Sequence, residues 1–175
     1  SQGNPWVNGK LGKALSFDGS NDQVVIPDNN ILDITPNLTI SAWIKTTDTS
    51  GEIVAHFNPS SPWEGYEIGI SLTNIGCSSG TGRLVFWSGD SWKCDTGSPV
   101  NDNKWHLVSV TINGTAGIFY IDGIRSSTFT AVTPGVSSQS FKIGNRTAAV
   151  NDFFSGLIDE VRIYNRALTA SEVLN

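Results

Sequence analysis

Hydrophobic and polar residues alternate along most of the chain with a period of two, which is typical of half-buried strands. The clearest case is LTISAWIKT, where Ile40, Ala42 and Ile44 share one face and polar or amphipathic residues share the other. Comparable runs are LGKALSF, DQVVI, GEIVAHF, YEIGISL, RLVFW, WHLVSVTIN, GIFYIDG, FKIG and FSGLIDEVRIY. The pattern predicts about twelve short strands.

Turn-forming residues separate these runs. The dipeptides Asn113-Gly114 and Asp122-Gly123 favour the positive φ angles of tight hairpins. The one helix signal lies near the end, where Thr169 and Glu172 form a capping-box pattern. Because no crossover helices connect the strands, we expect an all-β, two-sheet antiparallel β-sandwich (jelly roll) with a short C-terminal helical turn. We expect it to form a single domain over residues 1–175.

Composition and charge exclude two classes of partner. The net charge is −5 and no basic stripe is present, so nucleic acid is not expected. No apolar run approaches the roughly 20 residues of a membrane helix, so membrane insertion is not expected. No signal peptide is visible, and we expect the opening SQGNPW to be a boundary within a larger multidomain protein.

Two cysteines, Cys77 and Cys94, flank the predicted strand RLVFW in polar, Gly/Ser-rich surroundings. A disulfide between them would close a loop and stabilise the fold by about 3 kcal/mol in the chain-entropy model. Such a bond implies an oxidising compartment, so we expect a secreted, extracellular protein. The alternative is a pair of unrelated free thiols.

Four ordered segments carry a family resemblance: GKALSFDGSNDQVVIP, LTISAWIKT, NKWHLVSVTINGTAGIFYIDG and FSGLIDEVRIYNRALTASEV. In order and spacing they resemble the laminin-G-like, concanavalin-A-like jelly-roll family. The resemblance implies two packed, curved antiparallel sheets and attachment to secreted bacterial carbohydrate-active enzymes or surface proteins. In many relatives it also implies a structural calcium ion. A shared fold does not determine function, so the candidate sites are considered separately.

The strand FSGLIDEVRIY contains a carboxylate on its inward face. Its alternation places Asp159 beside Leu157 and Val161, and places Glu160 and Arg162 on the opposite face as a solvent-side pair. A buried carboxylate requires a charged, hydrogen-bonding or metal partner. Asp159 is therefore a candidate metal ligand.

The turn FDGSND offers the other half of a metal site, because Asp18 and its neighbours supply the oxygen ligands that calcium prefers. We expect the first and last strands to be neighbours, and the resemblance implies calcium bound by the last-strand Asp and the first turn. The prediction is a structural calcium ion shared by Asp18 and Asp159. The alternative is that both side chains cap turns or accept hydrogen bonds from backbone amides.

Catalytic motifs are missing from the sequence. No strand carries the paired carboxylates of a glycoside hydrolase on this scaffold, and no serine or cysteine nucleophile motif is present. The two histidines, His56 and His106, lack both a lyase-type Tyr/Lys constellation and zinc-finger spacing. We therefore expect a protein that is not an enzyme, with His106 in a structural role.

Aromatic residues in turn-rich loops are the candidates for ligand binding, because sugar rings stack on aromatic faces while polar side chains bind their hydroxyls. The candidate residues are Trp63, Glu64, Tyr66, Asp90, Trp92, Lys93, Arg146 and Asn151. The alternative for the aromatics is packing beneath a loop, which is the preferred interpretation for Trp87. The alternative for Asp90, Arg146 and Asn151 is a solvated loop position.

Two functions follow from these features. The first is a non-catalytic carbohydrate-binding module that targets a secreted protein or enzyme to a polysaccharide or glycan. The second is an adhesion or structural module of an extracellular surface protein with a protein partner.

Overall fold

The computed structural model describes residues 5–58, 63–71, 80–89, 91–146 and 152–174. The strands are β1 (Trp6–Asn8), β2 (Lys13–Asp18), β3 (Val24–Ile26), β4 (Leu38–Lys45), β5 (Gly51–Phe57), β6 (Gly65–Ser71), β7 (Arg83–Ser88), β8 (Ser91–Cys94), β9 (Trp105–Asn113), β10 (Ala116–Ile121), β11 (Ile124–Thr130), β12 (Phe141–Ile143) and β13 (Ser155–Tyr164). A turn of 3-10 helix covers Asn30–Leu32, and the helix α1 covers Ala170–Val173. Within the described residues, no helix is long and apolar enough to cross a membrane.

The strands form two antiparallel sheets, which confirms the predicted jelly-roll sandwich. The seven-stranded sheet has the order β1-β2-β13-β4-β9-β10-β11, and the six-stranded sheet has the order β3-β12-β5-β6-β7-β8. As expected, the early strand β2 pairs with the late strand β13, with Asp18 opposite Ser155. The last strand is therefore internal to its sheet.

The core lies between the two sheets and is built from the alternating apolar positions. Ile40, Ala42 and Ile44 of β4 are buried there, as the sequence predicts, in one cluster with Ile68 of β6 and Phe86 of β7. Each such aliphatic or aromatic side chain contributes roughly 1.5–3 kcal/mol when fully buried. The faces of the sheets that point away from this core are called the outer faces below.

The predicted turn and cap chemistry is also present. Asp122 and Gly123 both have positive φ, 52° and 72°, in the hairpin between β10 and β11. At the start of α1, the Glu172 carboxylate accepts a hydrogen bond from the Thr169 backbone N–H at 2.8 Å. These local features therefore follow directly from their residue types.

A bulge in β13 interrupts its alternation. The register between β13 and β4 shifts between Asp159 and Arg162, and Glu160 adopts a φ of 48°. An extra residue in one strand reverses which side chains face the core beyond it. Arg162 Nη2 lies 2.7 Å from Glu160 Oε2, so the predicted pair between these two residues is confirmed.

The bulge overturns the predicted orientation of Asp159. Ile158 belongs to the core before the bulge, and Val161 and Ile163 pack against the core after it. Asp159 is buried, but it pairs with Trp43 and points to the outer face of the seven-stranded sheet. The prediction that it shares an inward face with Val161 is wrong, because a strict period of two does not continue through a bulge.

His106 has a structural role, since its ring joins two turns. Its Nδ1 lies 2.9 Å from Asp122 Oδ2, and its Nε2 lies 3.0 Å from Asp102 Oδ1. Burial lowers the pKa of His106, but the hydrogen bonds to Asp122 and Asp102 outweigh burial, so the net pKa is raised. The imidazolium therefore stabilises the fold.

The stability contributed by His106 should fall as the pH rises. The folded-state pKa of His106 lies above the unfolded value of about 6.5. Its stabilising contribution is therefore complete below about pH 6.5 and is lost as the pH rises through the folded-state pKa. We expect the difference in melting temperature between the wild type and His106→Gln to be largest near about pH 5.5 and to shrink above it. Thermal melts from about pH 5.5 to 9 measure this, and a constant difference would contradict it.

Candidate ligand-binding site

An aromatic depression lies on the outer face of the six-stranded sheet. Its volume is about 360 Å³, and its lining residues are Phe57, Trp63, Trp87, Trp92 and Arg146. Phe57 ends β5, Trp87 lies in β7, and Trp92 lies opposite it in β8. These five residues are called the aromatic site below.

The rings of the aromatic site are arranged as a supported platform. The Trp63 indole stacks on the Phe57 ring with centroids 5.9 Å apart and planes 14° apart, and the Trp87 ring meets Phe57 edge-on at 4.4 Å. Phe57 and Trp87 are 2% and 5% exposed, whereas Trp63 is 46% exposed. The buried rings of Phe57 and Trp87 therefore support the exposed ring of Trp63. Trp87 has a packing role, which is the interpretation that the sequence favours.

Arg146 lies between two of these rings and two carboxylates. Its guanidinium carbon is 5.0 Å from the Phe57 ring centre and 5.3 Å from that of Trp92. Its Nη2 lies 2.9 Å from Glu67 Oε1, and its Nη1 lies 3.5 Å from Asp152 Oδ2. Stacking and ion pairing together fix the orientation of the guanidinium.

Two buried glutamates, Glu52 and Glu67, accompany this arginine. Burial raises the pKa of Glu67 to about 7, although the charge of Arg146 opposes the shift. Burial raises the pKa of Glu52 well above its usual value, and the charge of Glu67 adds to the effect. A Cβ at Gly69 would lie 2.8 Å from Glu52 Oε2, so the glycine makes room for that carboxylate.

The structure brings together three of the predicted ligand-binding residues: Trp63, Trp92 and Arg146. Tyr66 does not join them. It is fully buried in the core, where its hydroxyl donates to the Leu32 carbonyl oxygen at 3.0 Å, and burial raises its pKa. The prediction of Tyr66 as a ligand-binding residue is wrong, because β6 already begins at Gly65 and directs this side chain inward.

The remaining candidates lie apart from the aromatic site or outside the described residues. Glu64 packs against Gly135: a Cβ added at Gly135 would lie 2.8 Å from the Cγ of Glu64. Lys93 pairs with the core residue Phe86 and so points to the opposite face from Trp92. Asp90 and Asn151 lie outside the described residues.

The predicted disulfide involves one described residue. Cys94 ends β8, is half-buried and carries no free thiol. Cys77 lies outside the described residues. The pairing of Cys77 with Cys94 therefore stays a prediction.

Asp18 and Asp159 do not fit a single shared calcium ion. Asp18 lies opposite Ser155, four residues before Asp159 on the same strand, so about 13 Å separates the two positions along the strand. Asp18 Oδ1 accepts hydrogen bonds from the backbone N–H groups of Ser20 and Asn21, which lower its pKa. This is the alternative in which the carboxylate only caps a turn.

Asp159 likewise has backbone partners. Its Oδ2 accepts a hydrogen bond from the Leu11 N–H at 2.9 Å, and its Oδ1 accepts one from the Glu160 N–H at 2.8 Å. A Cβ at Gly9 would lie 2.5 Å from Oδ2, so the β1–β2 turn closes tightly over this carboxylate. In the described part of the chain, no three His, Cys, Asp or Glu side chains form a group that could hold a metal ion. Calcium binding itself stays a prediction.

Sequence reasoning missed four residues at or beside the site: Phe57, Glu52, Glu67 and Asp152. One signal is present in GYEIGISL, where Glu67 alternates with apolar residues between two glycines. A carboxylate within such a strand predicts a buried group with a partner, as it does at Asp159. No comparable signal marks Asp152, whose role depends on where Arg146 lies.

Comparison with known proteins places this fold in a family. Residues 18–174 match the concanavalin A-like lectin/glucanases superfamily, and the chain belongs to it. A comparison with proteins of curated function finds no match.

Three solved structures illustrate the likeness. Domain 4 of the extracellular arabinanase AbnA from Geobacillus stearothermophilus, in complex with arabinotriose, is 26% identical with a TM-score of 0.69, over 97% of this chain and 78% of that one. The heptameric SAP-like pentraxin of Limulus polyphemus is 17% identical with a TM-score of 0.70, over 91% and 78%. Domains LG4-5 of the mouse laminin alpha1 chain are 20% identical with a TM-score of 0.66, over 98% and 46%.

The hydrogen bonds of Asp159 predict a purely structural role for its carboxylate. Asp159→Ala should lower the free energy of unfolding by about 1–3 kcal/mol, because the Leu11 N–H loses its acceptor in a partly buried hydrogen bond. Since this role needs no metal, the loss should be the same with and without a calcium chelator. Denaturant unfolding of both proteins in the two buffers measures it.

Asp18→Ala is the matched control for this experiment, because its carboxylate also accepts backbone N–H groups but lies on an exposed turn. Its effect on stability should be smaller. If chelation instead lowered the melting temperature of the wild type and not that of Asp159→Ala, a calcium ion at Asp159 would be established.

The raised pKa of Glu67 predicts that the free energy of unfolding falls as the pH rises. A carboxyl whose folded pKa is about 7 binds a proton more tightly in the folded state, so the wild type should lose stability between about pH 4.5 and 7. Glu67→Gln removes this loss, and its stability relative to the wild type should rise across that window by on the order of 2 kcal/mol. Denaturant unfolding at several pH values measures the difference.

Glu172→Gln serves as the control in the same pH window. A hydrogen bond from Arg166 lowers the pKa of Glu172 to about 2, so its difference from the wild type should stay constant above about pH 5.5 and should shrink, not grow, toward pH 4.5. A flat profile for Glu67→Gln would show that Glu67 does not titrate there.

Proposed function

We propose that this protein is a non-catalytic carbohydrate-binding domain that holds a secreted protein or enzyme on a polysaccharide or glycan. The observation that carries the proposal is the exposed face of Trp63, stacked on the buried Phe57 beside Arg146. An exposed tryptophan with a fixed orientation is suited to the apolar face of a sugar ring.

Polar groups at the edge of the aromatic site suit the hydroxyls of a sugar. The Arg146 side chain is 21% exposed and can donate hydrogen bonds, and the Asp152 carboxylate is 37% exposed and can accept them. Both are held by their mutual ion pair, so little side-chain entropy is lost when a ligand binds. A sugar could therefore stack on Trp63 and hydrogen-bond to this pair.

The arabinanase domain supports the proposal, because it was solved with arabinotriose and is similar over nearly the whole of this chain. Secretion is part of the proposal and is supported by the absence of a free thiol at Cys94, since disulfides persist in oxidising compartments. We further propose that the domain belongs to a larger multidomain protein.

An adhesion or structural module with a protein partner is the second candidate function. Apolar side chains are exposed on and beside the edge strand β3, with Val25 at 50%, Ile26 at 40% and Ile31 at 78%. Exposed apolar groups at a sheet edge are typical of protein contacts. This candidate predicts a protein partner and no glycan affinity.

Replacement of Trp63 tests the first candidate. Trp63→Ala should weaken binding to any glycan that a glycan array identifies by at least about tenfold, or about 1.4 kcal/mol, because the stacking face is removed. Titration calorimetry with the purified glycan measures the change.

Trp6→Ala is the matched control, since Trp6 is similarly exposed at 53% but lies on β1 of the other sheet. Its glycan affinity should equal that of the wild type. Equal affinity for Trp63→Ala would place the sugar elsewhere, and the absence of glycan binding together with capture of a protein partner would favour the second candidate.

A further inference from the structure

Among the described residues that line the aromatic site, Arg146 is the one cation. Of its five lining residues, Arg146 alone is charged. Lys142 of β12 and Arg83 of β7 lie on the same outer face but do not line the site, and Lys93 of β8 points to the opposite face. The charge that a ligand meets therefore depends on how far Arg146 is already neutralised.

Arg146 is neutralised by carboxylates of the protein itself. Its two terminal nitrogens contact Glu67 at 2.9 Å and Asp152 at 3.5 Å, and the charge of Glu52 also acts on it. Its Nε is buried and has no hydrogen-bond partner in the described part of the chain. A guanidinium recognises a carboxylate or sulfate by presenting two nitrogens side by side, and both terminal nitrogens already have acidic partners here.

The cluster of Arg146, Glu52, Glu67 and Asp152 does not become positively charged near neutral pH when its glutamates are protonated. With Glu52 and Glu67 both protonated, the charges of Arg146 and of the Asp152 carboxylate balance each other, and ionisation of either glutamate adds negative charge. Burial raises the pKa of Glu67 to about 7, so the change from balanced to negative falls near neutrality. An anionic ligand would meet a neutral or negative site and would also approach the exposed carboxylate of Asp152.

We infer that the ligand of the aromatic site is a neutral glycan, and that uronic acids, sialic acids and sulfated sugars are disfavoured. This inference rests on the proposed function. A neutral sugar gains from the platform of Trp63 and from an arginine and an aspartate that bind hydroxyls. It has no charge for Glu67 and Asp152 to repel.

The experiment compares neutral and anionic polymers on the same protein. The probes are arabinan, xylan and β-glucan on one side, and polygalacturonate, alginate and heparin on the other, each at low and high salt. We expect at least one neutral polymer to bind, with an affinity that salt leaves unchanged, since no net charge is neutralised. The anionic polymers should bind at least about tenfold more weakly.

Variants that remove one carboxylate charge test whether neutralisation of Arg146 causes the preference for neutral polymers. Glu67→Gln and Asp152→Asn keep the shape of the site but leave Arg146 less neutralised, so each should raise the affinity for anionic relative to neutral polymers by about threefold or more. Asp152 is partly exposed, so its variant should fold even if Glu67→Gln does not. Glu172→Gln removes the same charge on α1, against the other sheet, and should leave this ratio unchanged.

The possible failures are distinguishable. If the anionic polymers bind more tightly than the neutral ones, in a manner that needs Trp63 and weakens with salt, the inference is overturned and the carbohydrate-binding function stands. If no polymer of either class binds, the proposed function falls and the inference falls with it.

Discussion

The alternation of β6 places core residues on one face of the six-stranded sheet and a buried carboxylate on the other. Tyr66, Ile68 and Ile70 point into the core, and each contributes the free energy of burying a large apolar side chain. The same pleat forces Glu67 onto the outer face, where the flanking rings and strands cover it completely. One strand therefore supplies both core side chains and the carboxylate that pairs with Arg146 of the aromatic site, and a slip of one residue would exchange their faces.

Burying Glu67 creates the need for Arg146. Removing a carboxylate from water is costly unless it is protonated or paired. Burial raises the pKa of Glu67, which favours its protonation, and Arg146 Nη2 lies 2.9 Å from Glu67 Oε1, which pairs its charge. Because Arg146 also stacks on Phe57 and Trp92, this pair orders the rings as well as the charges. The same pair therefore sets both the arrangement of the rings and the charge beside them.

Asp159 shows a second use of a buried carboxylate. It closes the β1–β2 turn by accepting the Leu11 N–H, and so ties the beginning of the chain to its last strand. This contact differs from the predicted one, in which a calcium ion joins Asp159 to the turn at Asp18, and calcium binding stays a prediction. The bulge at Glu160 makes the contact with Leu11 possible, because it turns Asp159 outward while Val161 returns to the core.

The fold class, most strands, the Asp122-Gly123 hairpin and the capping box at Thr169 are predictable from the amino-acid sequence. These features depend on residue type and on spacing over a few positions, which the sequence states directly. It also marked Trp63, Trp92 and Arg146 as separate candidates. Three outcomes were visible only in the folded protein: these three residues meet beside Phe57, Tyr66 belongs to the core, and Asp18 and Asp159 lie apart. Each of those outcomes depends on the register between strands distant in the chain, and one bulge or one early strand start changes it without altering the local pattern.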